Sequence, residues 1–321
     1  MKRVLCLVGP TASGKTEVAL ELSKIVPTEI ISCDSMQVYR DMPILTQAPP
    51  RSSPRRRGSD SRLRGNDEIK THLVSFVKPS HEYDAAKFRK DAGALILKIL
   101  KKKKTPLIVG GTGLYLRSLL DGLFETPEGQ LSRDESYRKK LIEEQERQGE
   151  DYLHRKLAKV DALSAKKIHA NDTRRLVRAL EVFHLSGKPI SEQKSKRSGI
   201  RGQYDVRIFL LERDRQELYA RVNRCVEIML EEGLLEEVKH LQEKKLSQTA
   251  EMALGFREMS AYLKGSMKKE EAVELLKKNT RHYAKRQLSW FRHELGVEKV
   301  EVSSGDTAKE IAGRILKALS S

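Results

Sequence analysis

Short apolar runs and helical stretches alternate along most of the 321-residue chain. Runs of apolar and β-branched residues with the length of buried strands occupy 3–8, 29–33, 106–109, 206–211 and 297–302. Helical periodicity of the apolar positions follows at 17–25, 84–104, 215–233, 268–294 and 307–319. Strands that alternate with helices in this way predict an α/β fold around a parallel sheet.

The middle of the chain follows a different pattern. Between residues 125 and 201 the strand-like runs are absent, and charged amphipathic helices take their place. Ser132 is a candidate N-cap for the first of these helices, and Gly187 and Pro189 mark the end of the last. We therefore predict a core domain formed by 1–124 and 202–321, with an all-helical domain, 125–201, inserted into it.

Residues 49–66, PPRSSPRRRGSDSRLRGN, match neither pattern. Their composition, rich in Pro, Ser, Gly and Arg with almost no apolar side chains, is typical of disordered segments. Six Arg against one Asp give the segment +5 of the formal net charge of +17. The composition favours an insertion tolerated in a surface loop, and an arm that touches nucleic acid is the alternative.

A complete GxxxxGK[ST] motif follows the first predicted strand and opens the first predicted helix. In this context, backbone N–H groups and the helix N-terminus surround phosphate oxygens, while the lysine reaches the distal phosphate and the threonine can bind Mg²⁺. A glycine turn with a solvated lysine is the alternative. The motif predicts a diphosphate or triphosphate site made by Gly9, Pro10, Thr11, Ala12, Ser13, Gly14, Lys15 and Thr16, with Thr16 as a metal ligand.

Asp34 follows the second predicted strand. Open α/β sheets place ligand-contacting residues at the carboxyl ends of their strands, which is where this carboxylate falls. Three roles are consistent with this position: a general base, a partner for a magnesium-bound water, or a helix N-cap. The choice between these roles decides which reaction the phosphate site serves.

The charge balance favours a polyanionic partner. The formal net charge is +17 with a pI of about 9.7, and the excess is not confined to the 49–66 segment. A basic surface with no partner is the alternative. Cys6, Cys33 and Cys225 lack disulfide or zinc spacing, and no apolar stretch has the length of a signal peptide or a membrane span, so we expect a cytoplasmic protein with no membrane partner.

Six sequence blocks carry a family resemblance. They are GPTASGKT at 9–16, DSMQVY at 34–39, GGTGLYL at 110–116, IHANDTRRLVRALEV at 168–182, ALGFRE at 253–258 and AKRQLSWFR at 284–292. In this order they resemble the tRNA dimethylallyltransferase (tRNA isopentenyltransferase) family. The resemblance implies a P-loop NTPase-like core that transfers a dimethylallyl group from dimethylallyl diphosphate to N6 of adenosine 37, beside the anticodon of tRNA. It also implies Mg²⁺, release of diphosphate without ATP, and a monomeric enzyme that binds the anticodon stem-loop.

The resemblance also assigns site residues. It makes Asp34 the base and places Thr112 and Arg221 near the diphosphate or the reacting base, although Thr112 alone would fit a helix N-cap and Arg221 a surface charge. Trp290 fits a core residue as well as a base-stacking platform. The residues assigned to tRNA are Asp34, Ser35, Met36, Gln37, Thr112, Arg138, Arg174, Arg175, Leu176, Val177, Arg178, Met252, Gly255, Phe256, Arg257, Lys285, Arg286, Gln287, Trp290 and Arg292.

Two departures from the family pattern affect the expected contacts. Leu45-Thr-Gln-Ala-Pro49 stands where a Gly-Thr-Ala-Lys-Pro-like stretch is usual, and Cys225 stands where a second arginine is expected after Arg221, a place that Arg224 could fill. Two other functions use the same features. A small-molecule kinase would share the phosphate loop, and a non-catalytic RNA-binding protein would share the charge.

Overall fold

The computed structural model describes residues 1–48, 69–123, 125–126, 129–130, 134–193 and 199–320. The predicted disordered segment 49–66 and the candidate N-cap Ser132 lie outside these residues. The chain divides into two compact units, Met1–Leu119 with Ile200–Ser321, and Leu120–Gly199. The predicted boundaries were 124/125 and 201/202.

The first unit contains a six-stranded sheet and its helices. The strands are β1 (Arg3–Val8), β2 (Thr28–Ser32), β3 (Thr71–His72), β4 (Thr105–Gly110), β7 (Asp205–Arg213) and β8 (Val297–Val302). The helices are α1 (Lys15–Ile25), α2 (Pro43–Thr46), α3 (Ala85–Lys101), α4 (Gly113–Asp121, which ends in the second unit), α10 (Arg215–Glu231), α11 (Leu234–Gln242), α12 (Phe256–Leu263), α13 (Lys269–Arg292) and α14 (Ala308–Ser320), with a 3₁₀ turn at Ala250–Met252. No helix among the described residues is both long and apolar enough to cross a membrane.

The sheet is parallel throughout, in the order β3-β2-β4-β1-β7-β8. In the register, Leu5 of β1 lies between Leu107 and Arg207 on its two neighbours. The predicted α/β class is confirmed. All five predicted strands are present, and the added sixth strand, β3, is two residues long, too short to leave a periodic pattern in the sequence.

Both faces of the central strands are covered, which explains their continuous apolar sequence. Leu5 and Leu7 pack in one core cluster with Val18 of α1 and Ile311 of α14. The alternate residues of β1 point to the opposite face and are buried as well. The strand ends are therefore held firmly, and the loops that leave them start from fixed positions.

The second unit is helical, as the sequence predicts. Its elements are a short antiparallel pair, β5 (Glu125–Thr126) with β6 (Gly129–Gln130), and helices α5 (Glu135–Gln148), α6 (Tyr152–Val160), α7 (Ala162–Ala165), α8 (Thr173–Ser186) and α9 (Ile190–Gln193). Asp134 caps α5 by accepting the N–H of Tyr137 at 3.0 Å. Leu141, Leu153 and Leu176 belong to one buried cluster that joins α5, α6 and α8.

A buried carboxylate is embedded in this helical core. Glu181 is fully buried and accepts hydrogen bonds from Arg138 (2.6 and 2.7 Å), from Arg178 (2.6 Å) and from the N–H of Asp134 (2.9 Å). Burial alone would raise the pKa of Glu181, but the hydrogen bonds from both guanidinium groups lower it to about 2. Arg138 thus links α5 to α8 through this carboxylate, while Arg178 pairs with it within α8.

We predict that Glu181→Ala destabilises the protein by about 3 kcal/mol at pH 7, because it leaves Arg138 and Arg178 without their partner. The folded pKa lies below the unfolded value, so the stabilisation is fully present above about pH 4.5 and is lost as the pH falls towards 2. Urea titrations at pH 7 and about pH 3, between the folded and the unfolded pKa, measure both effects. The exposed Glu143, 3.9 Å from Lys139, provides the control, since Glu143→Ala should change the unfolding free energy by less than about 0.5 kcal/mol. Equal losses in the two variants would contradict the prediction.

Candidate active site

Four loops meet at the carboxyl edge of the sheet. They leave the adjacent strands β2, β4, β1 and β7. The first three carry Asp34, Gly111–Thr112 and Gly9–Thr16, and Arg213 is the last residue of β7, where the fourth begins. Because parallel strands end at the same edge, the sheet order places these groups side by side. The phosphate loop after β1 lies in the middle of the row.

The phosphate loop has the backbone that its sequence predicts. Gly9, Ala12 and Gly14 have positive φ angles of 154°, 60° and 91°. A side chain at Gly9 would lie 3.0 Å from the carbonyl oxygen of Leu211, so glycine is required by space as well as by conformation. Gly14 is the N-cap of α1 and makes no side-chain cap, which leaves the first N–H groups of the helix for an anion.

Lys15 is held inside the loop. Its Nζ donates to the carbonyl oxygen of Pro10 (2.5 Å) and to Ser13 Oγ (3.4 Å). Burial lowers the pKa of Lys15 to about 8, although the carboxylates of Asp34 and Glu17 act in the opposite direction. An anion in the loop would favour the protonated amine, so anion binding and protonation of Lys15 are coupled.

Asp34 lies in a tight turn rather than at the start of a helix. Its Oδ1 accepts the N–H groups of Met36 (2.9 Å) and Gln37 (3.3 Å), which fixes the carboxylate and leaves Oδ2 to accept a proton. The turn is tied to the loop after β4, because Ser35 N–H donates to Thr112 Oγ1 (3.0 Å) and Thr112 N–H donates to the carbonyl of Cys33 (3.1 Å). Thr112 therefore positions the Asp34 turn.

Gln287 of α13 joins two of the loops. It accepts the N–H of Thr11 in the phosphate loop (2.8 Å) and donates to the carbonyl of Gly111 (2.9 Å), and it is buried. Both ends of the carboxamide are thus occupied within the protein. The predicted contact between the Gln287 side chain and an RNA base edge is wrong for this reason, and the residue is part of the scaffold of the site.

Two arginines lie on the outer side of the phosphate loop. Arg221 of α10 donates to the carbonyl of Ala12 (2.8 Å), so its predicted position at the diphosphate site agrees with the geometry. Arg213, which the sequence patterns did not single out, is buried, donates to the carbonyl of Ser13 (3.0 Å) and pairs with Glu217. Its place at the end of a strand beside β1 is the signal that could have identified it.

Tyr283 is a second residue that the sequence patterns missed. It lies on α13, one helical turn before Gln287. Burial, with a smaller effect from the negative charge of Asp34, raises the pKa of Tyr283, and hydrogen bonding to Thr112 and Gln287 acts against this rise. Its phenol therefore stays protonated beside the Asp34 turn. A phenol that keeps its proton can donate a hydrogen bond there.

Comparison with known proteins places the chain among relatives of the same architecture. The "IPP transferase" family model matches residues 37–294, and the "Isopentenyl transferase" model matches residues 2–53. A tRNA dimethylallyltransferase of Halothermothrix orenii is 40% identical over 95% of this chain and 89% of its own length.

The chain belongs to the IPP transferase family.

Two solved structures of similar proteins align over the full length of this chain. A tRNA isopentenylpyrophosphate transferase of Bacillus halodurans is 35% identical to this chain, with a TM-score of 0.68. The alignment covers 100% of this chain and 97% of that one. A eukaryotic dimethylallyltransferase acting on tRNA has 28% identity and a TM-score of 0.80, covering 100% of this chain and 79% of its own. The predicted P-loop NTPase-like class of this IPP transferase is confirmed.

The departures from the family pattern lie together. Gln47 Nε2 contacts Cys225 Sγ and lies 3.3 Å from Met229 Sδ, so residues of the two unusual segments touch each other. Arg224 does not replace the expected arginine at the phosphate loop, because it is exposed and pairs with Glu227 and Glu231 at 3.4 Å. Arg221 and the buried Arg213 are the guanidinium groups that the structure places at this loop.

The tRNA candidates of the first unit divide by exposure. Met252, Arg257, Lys285 and Arg286 are exposed, and Phe256 is partly exposed. Arg292 is exposed but pairs with Glu212. Gly255 is buried, and a side chain there would lie 3.0 Å from Leu45, so it shapes the backbone before α12. Trp290 packs on Gly113 with Arg117 over its ring at 4.5 Å, which fits the core alternative.

The tRNA candidates of the second unit also divide. Leu176 and Val177 are buried in the helical core, so the prediction that their side chains contact RNA is wrong. Arg138 and Arg178 are held by Glu181. Arg174 and Arg175 are exposed, and the latter lies 3.3 Å from Asp172.

The scaffold role of Gln287 predicts the effect of Gln287→Glu. The carboxylate can still accept the N–H of Thr11, but it cannot donate to the Gly111 carbonyl, so two acceptors face each other in a buried place. We expect a loss of about 1–3 kcal/mol in unfolding free energy and an increase of at least about tenfold in the Kd for an alkyl diphosphate. Thermal unfolding and calorimetry measure these changes. Gln148→Glu, at an exposed position of α5, is the matched control, and equal behaviour of the two variants would exclude the scaffold role.

The lowered pKa of Lys15 predicts a pH-dependent affinity. Binding of an alkyl diphosphate requires the protonated amine, so the Kd should rise about tenfold between pH 7 and pH 9, where the phosphate ester itself is already fully ionised. Lys15→Arg keeps its charge over this range and should show a flat profile. Calorimetry in buffers of different ionisation enthalpy should detect uptake of almost one proton at pH 9. A wild-type Kd that does not change with pH would contradict the coupling.

Proposed function

We propose that this IPP transferase moves the dimethylallyl group of dimethylallyl diphosphate to the exocyclic N6 of adenosine 37, beside the anticodon of tRNA, and releases diphosphate. The observation that carries the proposal is the adjacency of a phosphate loop and a fixed carboxylate, Asp34, on neighbouring loops of one sheet edge. The names of the relatives, tRNA dimethylallyltransferase and dimethylallyltransferase acting on tRNA, support the same reaction.

The phosphate loop binds the leaving group. When the bond between the allylic carbon and the diphosphate oxygen breaks, negative charge develops on the diphosphate. The N–H groups at the start of α1 and the amine of Lys15 lie where that charge appears, and Arg221 adds a cation at the same loop. Because burial weakens the hydration of Lys15, its charge interacts strongly with an anion in the loop.

The donor set of the loop fits Mg²⁺. Thr16 lies exposed in the first turn of α1 and supplies a hydroxyl oxygen, the ligand type that Mg²⁺ prefers. Among the described residues no group of three or more His, Cys, Asp or Glu side chains could hold a metal, so the other ligands would be diphosphate oxygens and water. The ion, when bound, supplies positive charge that stabilises the departing diphosphate.

Asp34 acts on the nucleophile. The N6 amine of adenine is weakly nucleophilic because its lone pair is delocalised into the ring, so removal of its proton as the new N–C bond forms lowers the barrier. The turn directs Oδ1 to the N–H groups of Met36 and Gln37, and Oδ2 receives the proton. Thr112 holds this turn through Ser35.

The substrate must bring its base to this carboxylate. An adenine in a stacked anticodon loop cannot place N6 beside Asp34, so the nucleotide has to leave the stack. The exposed cations Arg257, Lys285 and Arg286 of the first unit suit the phosphates around it. We further propose that the enzyme acts as a monomer in the cytoplasm, which its free cysteines and the origin of all four loops in one chain support.

Mass spectrometry of nucleosides tests the reaction class. Unmodified tRNA is incubated with the purified protein, Mg²⁺ and dimethylallyl diphosphate. A parallel reaction contains ATP in place of dimethylallyl diphosphate. N6-prenylated adenosine should form in the first reaction and not in the second. ATP turnover without a prenylated nucleoside would instead indicate the kinase alternative.

The role of Asp34 predicts the effect of Asp34→Asn. Asparagine still accepts the two N–H groups of the turn but cannot take the proton, so kcat should fall about 10²–10⁴-fold with the Kd for tRNA within about twofold of wild type. Asp84 makes the same pair of bonds at the start of α3 (3.0 and 2.9 Å), which makes Asp84→Asn a matched control with unchanged kcat. Normal turnover of Asp34→Asn would remove Asp34 as the base.

A further inference from the structure

Tyr283 lies at the reaction centre, and the proposed reaction gives it no role. It belongs to α13, one helical turn before Gln287, so the two side chains lie on the same face of that helix. Gln287 holds this face against the phosphate loop and the loop after β4 by its bonds to Thr11 and Gly111. The next residue, Ala284, is buried in a cluster with residues of α10. The part of α13 that carries Tyr283 is therefore fixed at the site.

The phenol of Tyr283 lies on the Asp34 side of the site. Asp34 and Arg286 are the charged groups that affect it most, and Thr112 and Gln287 are near enough to hydrogen-bond with it. The guanidinium carbon of Arg286 lies 5.7 Å from the centroid of the ring. Thr112 is also the residue that holds the Asp34 turn. The hydroxyl is therefore close to the carboxylate that receives the proton of N6 in the proposed reaction.

The proton of this phenol is available to a bound substrate. Burial raises the pKa of Tyr283, so the phenol stays protonated at neutral pH, yet the side chain is only partly buried. Its polar neighbours have other partners. Thr112 Oγ1 accepts the N–H of Ser35 at 3.0 Å and donates to Ser35 Oγ at 3.3 Å, and the carboxamide of Gln287 is bonded at both ends. An acceptor that a substrate brings into the site can therefore take the phenolic hydrogen without leaving either neighbour unpaired.

Adenine presents such an acceptor next to its amine. N6 lies between two ring nitrogens, N1 on the Watson–Crick edge and N7 on the Hoogsteen edge, and both accept hydrogen bonds. We propose that Tyr283 Oη donates a hydrogen bond to the ring nitrogen beside N6 of the reacting adenosine while N6 itself donates to Asp34 Oδ2. This pair of contacts selects adenine, because guanine would place the acceptor O6 against Asp34 and its N1 is a donor. The proposal rests on the proposed function, since it requires adenosine as the acceptor of the prenyl group.

The same contact supports the chemical step. As Asp34 removes the proton of N6, electron density moves from N6 into the ring and reaches the ring nitrogens. An O–H donor that already points at one of these nitrogens stabilises the charge that develops there, without any reorganisation during the reaction. Tyr283 should therefore affect the rate of prenyl transfer as well as the affinity for the RNA.

Tyr283→Phe removes the hydroxyl and keeps the ring with its contact to Arg286. The kcat/KM for an anticodon stem-loop RNA should fall about 5–10-fold, with the KM for dimethylallyl diphosphate within about twofold of wild type. The melting temperature should stay within about 2 °C, because no neighbour loses its only partner. Tyr204→Phe is the matched control. Tyr204 is also partly buried but directly precedes β7, at the opposite edge of the sheet, so its kcat/KM should stay within about twofold of wild type.

Two base analogues identify the nitrogen that accepts the bond. The reacting adenosine is replaced by 1-deazaadenosine or by 7-deazaadenosine, each of which lacks one acceptor and keeps the amine. The analogue without the bonded nitrogen should slow the wild type but cause no further loss in Tyr283→Phe, because both changes remove the same contact. The altered electronics of the ring act on both enzymes alike and cancel in this comparison. Additive losses with both analogues would overturn the assignment.

Other outcomes would give the phenol a different role. A lower melting temperature together with additive losses would make Tyr283 a structural support of Thr112 and Gln287 and overturn the contact with the base. A raised KM for dimethylallyl diphosphate with additive losses would place the phenol at the diphosphate instead. Wild-type protein that does not prenylate tRNA would reject the proposed function, whereas normal prenylation with an unaffected Tyr283→Phe would reject the role of Tyr283 alone.

Discussion

The carboxamide of Gln287 is the contact on which the reaction centre depends, because it fixes two loops with one rigid group. Its oxygen holds the N–H of Thr11 and its nitrogen holds the carbonyl of Gly111, both at 2.9 Å or less. A side chain at Gly111 would lie 2.2 Å from that nitrogen, so the glycine and the glutamine require each other. Without the bridge, two buried backbone groups would lose their partners, and the phosphate loop would be free to move relative to the loop after β4.

The bridge is effective because the sheet has already brought the loops together. Strand β4 lies between β2 and β1, so the loop after β4 touches the Asp34 turn on one side and faces the phosphate loop on the other. Gly110 allows this closeness, since a side chain there would lie 2.1 Å from the carbonyl of Cys33. The Asp34 turn and the phosphate loop are thus joined through the loop after β4, which the protein's own hydrogen bonds hold in place.

The features that the sequence predicts are local motifs and strands. The features that it does not predict are contacts between residues far apart in the chain. The phosphate loop and Asp34 follow from short motifs at strand ends, and the five longer strands follow from their apolar runs. Gln287 lies 276 residues from Thr11 and Arg213 lies 200 from Ser13, so no window of sequence connects them. Leu176 and Val177 show the opposite error, in which a motif suggests too many contact residues. The apolar residues of such a block pack in the core, and only its polar residues face outward.

The same distinction governs the charge. A formal net charge of +17 measures the whole chain, yet many of its cations have internal partners. Glu181 forms ion pairs with Arg138 and Arg178, Glu217 with Arg213, and Glu212 with Arg292. The capacity for RNA therefore resides in fewer residues, such as Arg174, Lys285, Arg286 and Arg257, which are exposed and have no carboxylate within ion-pair distance among the described residues. Because paired cations fix the protein's own shape, the specificity of RNA binding depends on where the unpaired ones lie, and the net charge alone does not reveal their positions.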